Sequence, residues 1–147
     1  MIVLAVLFLS MLIFRGIGAA GVSVFATWTA SARDALAVML VFTGITHFNK
    51  MRHSLVRMVP PAFPAPMTII YVTGILELLG AVGLVIPQTR PIAGICLAIL
   101  FIAMFPANWY AVRNAIPVAG RPATPLWVRL PMQILFIFLA LSSARST

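Results

Sequence analysis

The sequence predicts an all-α protein, a polytopic transmembrane helical bundle that forms one membrane domain over residues 1–147. Three observations carry this. Hydrophobic residues make up 63% of the chain and charged residues only 8%, a balance far from that of a soluble domain. Five apolar stretches approach or reach the length an internally hydrogen-bonded helix needs to cross about 30 Å of hydrocarbon. The ten Lys and Arg, which give a formal net charge of +8, are spread along the chain beside those stretches. That distribution sets membrane orientation and meets anionic headgroups; it does not make a nucleic-acid surface.

The first stretch, residues 2–24, is apolar except for Arg15. A signal peptide competes with a membrane span here, because Ala30-Ser-Ala32 looks like a cleavage site. A span is the better reading, since no Lys or Arg precedes the apolar region and Arg15 falls inside it. The second run, residues 35–49, is bounded by Arg33-Asp34 and Lys50 and short for a span, so the span is extended through those charges to residues 31–50; its last turn sets Thr43, Gly44 and His47 on one face. A basic segment from Lys50 to Arg57 follows, then Pro60, Pro61, Pro64 and Pro66, which predict an extended interfacial approach to the next helix.

The third span, residues 67–86, carries a single charge, Glu77, near its middle. A carboxyl there cannot face lipid cheaply, so it must face protein or water and either find a partner or be protonated. The neighbours on its helical face are Thr73, Gly74, Gly80, Ala81 and Leu84, mostly small residues that let another helix come close. The fourth span, residues 91–112, is uncharged, starts at Pro91 and contains Pro106 and Asn108 near an aromatic pair, Trp109-Tyr110. The last, residues 126–144, follows Thr124-Pro125, an N-cap and first-turn proline pattern, and begins with Arg129 and Gln133 one turn apart.

Counting Lys and Arg orients the bundle. One side receives Lys50, Arg52, Arg57, Arg113 and Arg121; the other receives Arg33, Arg90 and Arg145. The first side is therefore expected in the cytoplasm, with the N-terminus inside, the C-terminus outside, and the protein in the cytoplasmic (inner) membrane. His47, Asn108, Arg129 and Gln133 then share the cytoplasmic half, with Glu77 about ten residues, or ~15 Å, deeper. All five are expected to belong to one polar network. Arg129 is either its counter-ion or a headgroup anchor, and as simple interhelical glue Glu77 would bond Thr73 or Asn108.

Gly44-x-x-His47-Phe48, the Met58-Val-Pro-Pro-x-x-Pro-x-Pro66 connector, Thr73-Gly-x-x-Glu77-Leu-x-Gly80, Phe105-Pro-Ala-Asn108 and Arg129-Leu-Pro-x-Gln133 together resemble the DoxX family of small membrane proteins. The resemblance covers about residues 33–142. It implies a compact four-helix core, to which the first helix is an addition, and a quinone-linked or redox-associated membrane role.

Two functional readings stand side by side. In one, a quinone or similar lipid-soluble ligand binds in the cytoplasmic half. His47 and Glu77 serve as catalytic proton donor and acceptor, Asn108, Arg129, Gln133 and Thr73 hold the ligand, and a redox partner protein supplies electrons. The chain itself carries no redox cofactor motif; its one cysteine, Cys96, excludes a Cys-x-x-Cys relay, and its acids, Asp34 and Glu77, with His47 and His53 are too few for a metal centre. In the other, the protein is a non-catalytic assembly or lipid-binding subunit whose polar cluster only fixes the bundle. A transporter is a weaker third reading, since five helices without an internal repeat would need a homo-oligomer.

Overall fold

Each helix begins and ends on local chemistry that the sequence supplies. The computed structural model describes residues 2–118 and 120–145, so the extreme ends of the predicted domain, Met1 and 146–147, lie outside the described residues. Helix α1 (Ile2–Ala19) stops short of residue 24 because the backbone turns at Gly21, φ 109°, into a short 3-10 turn over Ser23–Phe25. Any side chain at Gly18 would run into the Phe25 carbonyl that this turn brings back. Helix α2 (Trp28–Thr46) begins three residues earlier than expected, since Thr27 accepts the Ala30 N–H at 3.1 Å and caps it.

After a short helix α3 (Arg52–Met58), the four prolines make a turn and not an extended approach. The Phe63 N–H bonds the Pro60 carbonyl at 3.0 Å, and Ala65 sits in the left-handed region, φ 51°, directly before helix α4 (Pro66–Val85). Proline's fixed φ suits a turn as well as an extended chain, which is why the count of prolines alone misleads. The carboxyl end of α4 is closed by two residues just beyond it: Arg90 donates to the Leu84 and Val85 carbonyls at 3.1 and 3.2 Å, and the Thr89 hydroxyl donates to Gly83 at 2.9 Å. Helices α5 (Arg90–Arg113) and α6 (Leu126–Arg145) complete the bundle. Among the described residues there is no strand beyond an isolated pairing of Val118 with Arg121.

Four helices, α1, α4, α5 and α6, are long and apolar enough to cross a membrane. The protein is therefore a multi-pass membrane protein. Helix α2 is the exception, and the reason is internal: it carries Arg33 and Asp34, which sequence spacing suggests as flanks of the span. Both are buried, and they pair with each other in a two-point bridge, Nε to Oδ1 at 2.8 Å and Nη2 to Oδ2 at 2.9 Å. Adjacent residues do not normally face each other on a helix, but the long arginine side chain folds back far enough. With its charges internally balanced, α2 runs against α1, α4 and α6, and buries Ala35, Leu36, Met39 and Leu40 in the core.

The long helices pack as antiparallel neighbours. Gly80 of α4 meets Leu97 of α5, and Gly94 of α5 meets Ala140 and Ala144 of α6. Helix α1 belongs to the same core: Leu7, fully buried, is part of one hydrophobic cluster with Leu36, Leu84, Leu97 and Ala140. Its Arg15 lies over the Trp28 ring, 5.5 Å from the centroid, which gives that cation a partner on α2.

Candidate functional site

A close seam runs between α2 and α4, and glycine makes it. A Cβ on Gly44 would stand 2.9 Å from the Leu78 side chain and 3.4 Å from the Gly74 carbonyl; one on Gly74 would stand 2.5 Å from the His47 Cβ. Without side chains at these two positions the backbones approach closely enough for short polar groups to bridge them. Thr43 does so. Its hydroxyl donates to Glu77 Oε2 at 2.6 Å and also lies 3.2 and 3.3 Å from the Met39 and Leu40 carbonyls. One hydroxyl proton serves one acceptor at a time, and the shortest of these contacts is the one to Glu77.

Glu77 is 4% exposed and His47 7%. His47 closes the end of α2, its ring Nδ1 3.1 Å from the Thr43 carbonyl, so histidine and carboxyl meet at one residue, Thr43. Thr73 shares the Glu77 face but turns its hydroxyl back to Ile69 and Ile70 of its own helix, at 3.0 and 2.9 Å.

The other predicted site residues form a separate seam between α5 and α6. Arg129 donates through Nη1 to Asn108 Oδ1 and through Nε, at 3.1 Å, to the Thr124 carbonyl at the start of its own helix. One turn on, Gln133 donates to the Phe101 carbonyl. The residue after Phe101 is Ile102, whose carbonyl loses its ordinary helical donor because position 106 is proline. Gln133 thus binds α6 to α5 where the backbone ladder of α5 is weakest.

The expected single network is therefore corrected to two. Glu77 and His47 are joined through Thr43, while on the α5–α6 seam Arg129 bonds Asn108 and, separately, Gln133 bonds the Phe101 carbonyl. Among the described residues no hydrogen bond or ion pair links the two groups, and the only ion pair is Arg33 with Asp34. The physical reason is depth and direction. Arg129 finds neutral oxygens within reach near the end of its helix, while Glu77 lies deeper and faces α2. Sequence reasoning placed Thr43 on the His47 face but missed it as the partner of Glu77. Matching residues across an antiparallel α2–α4 pair would have found it.

Two shallow apolar grooves open on the outside of the bundle. One, about 330 Å³, runs between α5 and α6 and is lined by Ile102, Phe105, Pro106, Leu130, Gln133 and Ile137. The other, about 380 Å³, lies between α1 and α6 around Phe8, Trp127 and Pro131. Glu77 and His47 line neither. No group of three or more His, Cys, Asp or Glu gathers at metal-binding distance among the described residues.

Fold and seams together define a small multi-pass bundle whose polar side chains tie its helices in pairs. The chain belongs to the family described as Domain of unknown function (DUF8561), whose model matches residues 36–144. That match overturns the resemblance to the DoxX family. The motifs that suggested it are made of residue types any close-packed membrane bundle uses: glycine where helices touch, proline at connections, and amides and arginine near helix ends. No curated protein and no solved structure matches the chain.

Proposed function

We propose that the protein is a non-catalytic module of the cytoplasmic membrane, a small lipid-binding or assembly subunit. The observation that carries this reading is where the polar side chains go. Thr43 with Glu77 joins α2 to α4, Asn108 with Arg129 and Gln133 with the Phe101 carbonyl join α5 to α6, and these bonds do not converge on one cavity. Such pairs are the ordinary means of holding membrane helices together, at about 0.6 kcal/mol each. The outer faces, by contrast, are broad and apolar, with Leu79, Ile92, Ile134 and Phe138 all more than half exposed. They suit lipid and neighbouring membrane proteins.

The orientation belongs to the same proposal and counts α2, its Arg33–Asp34 pair internally neutralised, as a fifth crossing: N-terminus in the cytoplasm, C-terminus outside. It is supported by the five basic residues Lys50, Arg52, Arg57, Arg113 and Arg121 at one end of the bundle against three, Arg33, Arg90 and Arg145, at the other.

One observation favours the quinone-binding reading as a second. His47 and Glu77 both contact Thr43, one its carbonyl and the other its hydroxyl, which places two titratable groups close together in the α2–α4 seam. Titration of the purified protein with a short-chain ubiquinone analogue, read by tryptophan fluorescence, separates the two. The assembly reading expects no saturable response in wild type or Glu77→Gln. Saturable binding that Glu77→Gln and His47→Gln abolish would replace it with the quinone reading.

A further inference from the structure

Among the described residues, Arg129 is a half-buried cation with no opposite charge within reach. The chain has two acids; Asp34 is held by Arg33 and Glu77 by Thr43, on other seams. The two bonds of Arg129 go to neutral oxygens, the Asn108 amide and the Thr124 carbonyl, and among the described residues its Nη2 takes no partner. The guanidinium is nevertheless half-buried and fixed from two directions, so part of its donor fork is set in place with its charge uncompensated.

What surrounds it suits an anion. Leu130, the next residue, and Gln133, one turn on, line the α5–α6 groove, whose walls are otherwise Ile102, Phe105, Pro106 and Ile137. Trp109 and Trp127 are exposed at the same end of these helices, where amphipathic rings mark the headgroup level. Arg113 and Arg121 belong to that end as well, and the α3 arginine Arg57 reaches the Pro117 carbonyl there, while no acid does. A cation at headgroup depth, next in sequence to the groove residue Leu130 though not itself part of the lining, complements one kind of molecule, an anionic phospholipid with its phosphate at the guanidinium and an acyl chain in the groove.

We propose that Arg129 and the α5–α6 groove form a binding site for an anionic phospholipid. The phosphate oxygens accept from Arg129 Nη2, Asn108 and Thr124 position the guanidinium, and one acyl chain lies along Ile102, Leu130 and Ile137. This deepens the lipid-binding reading and rests on it, but it names a site that the general reading does not require.

The test uses the full chain carrying Trp28→Phe, so that Trp109 and Trp127 report, in phosphatidylcholine vesicles containing either dibrominated phosphatidylglycerol or dibrominated phosphatidylcholine. Bromine quenches a tryptophan on contact. The expected result is a preference of about fivefold for the brominated phosphatidylglycerol, the size one basic side chain supplies at an anionic lipid. Arg129→Gln brings the two lipids to equality and Arg113→Gln leaves the preference intact. If Arg129→Gln fails to fold, Arg129→Lys decides: a lysine cannot hold Asn108, Thr124 and phosphate together, so the preference falls below that of wild type. Equal quenching in wild type, a preference that survives Arg129→Gln or is undiminished in Arg129→Lys, or one that Arg113→Gln removes equally overturns the site. Its failure leaves the non-catalytic reading to the quinone titration, which reads a different ligand and different residues.

Discussion

Thr43 on α2 and Glu77 on α4 are joined by a 2.6 Å hydrogen bond across a glycine-lined seam of the bundle. Gly44 and Gly74 make that approach, and Glu77 is all but fully buried beside it. Removing the hydroxyl therefore leaves a carboxyl with its partner gone in a place water reaches poorly. Thr43→Val is expected to destabilise the protein by about 1–3 kcal/mol, the cost of an unsatisfied buried polar group. Thr43→Ser, which keeps the hydroxyl, is expected to lose much less. Unfolding by a denaturing detergent, followed by circular dichroism, measures both.

Glycine contacts make a second contrast. A Cβ at Gly94 would meet the backbone carbonyl of Ala140 and, at 2.8 Å, the Ala144 Cβ, so Gly94→Ala must push α6 away from α5. The expected loss is about 1–3 kcal/mol. Gly16 on α1 has nothing within 4 Å, and Gly16→Ala is expected to be neutral or to stabilise by about 0.5–1 kcal/mol. Parallel detergent unfolding of the two variants checks the ordering.

Much of this architecture was legible in the sequence because lipid imposes it. The apolar runs at residues 67–86, 91–112 and 126–144 correspond to α4, α5 and α6 to within a residue or so. The small residues around Glu77 correctly announced a close helix, though not which residue it would offer. What failed were choices among partners. Arg33 and Asp34 looked like flanks of α2 because sequence spacing does not reveal that they neutralise each other inside it. Arg129 looked like the natural counter-ion of Glu77 because both are charged, whereas its position near the helix end put Asn108 and the Thr124 carbonyl within reach first. Composition tells that a polar group needs a partner; only the relative depth of the helices tells which.

The α5–α6 seam carries its own prediction. Asn108→Ala and Arg129→Leu should each destabilise by roughly 1 kcal/mol, and the double variant should lose less than the sum, because both remove the same bond. Strict additivity in thermal unfolding would mean that the two side chains act independently.

Orientation is testable by labelling. In a Cys96→Ser background, Pro61→Cys in the connector should react only with reagent admitted to the cytoplasm, and Arg145→Cys only with reagent outside. Labelling of both from one side would show that the five long helices do not all cross and would remove the proposed topology.

The polar residues of this bundle work as separate interhelical pairs and not as one site around Glu77. Two double-mutant cycles in the same unfolding assay test it most directly, one combining Thr43→Val with Glu77→Leu and the other combining Arg129→Leu with Glu77→Leu. The expected outcome is a coupling of about 1 kcal/mol for Thr43 with Glu77, and additivity within ~0.5 kcal/mol for Arg129 with Glu77. Strong coupling of Arg129 to Glu77, with none between Thr43 and Glu77, would contradict it.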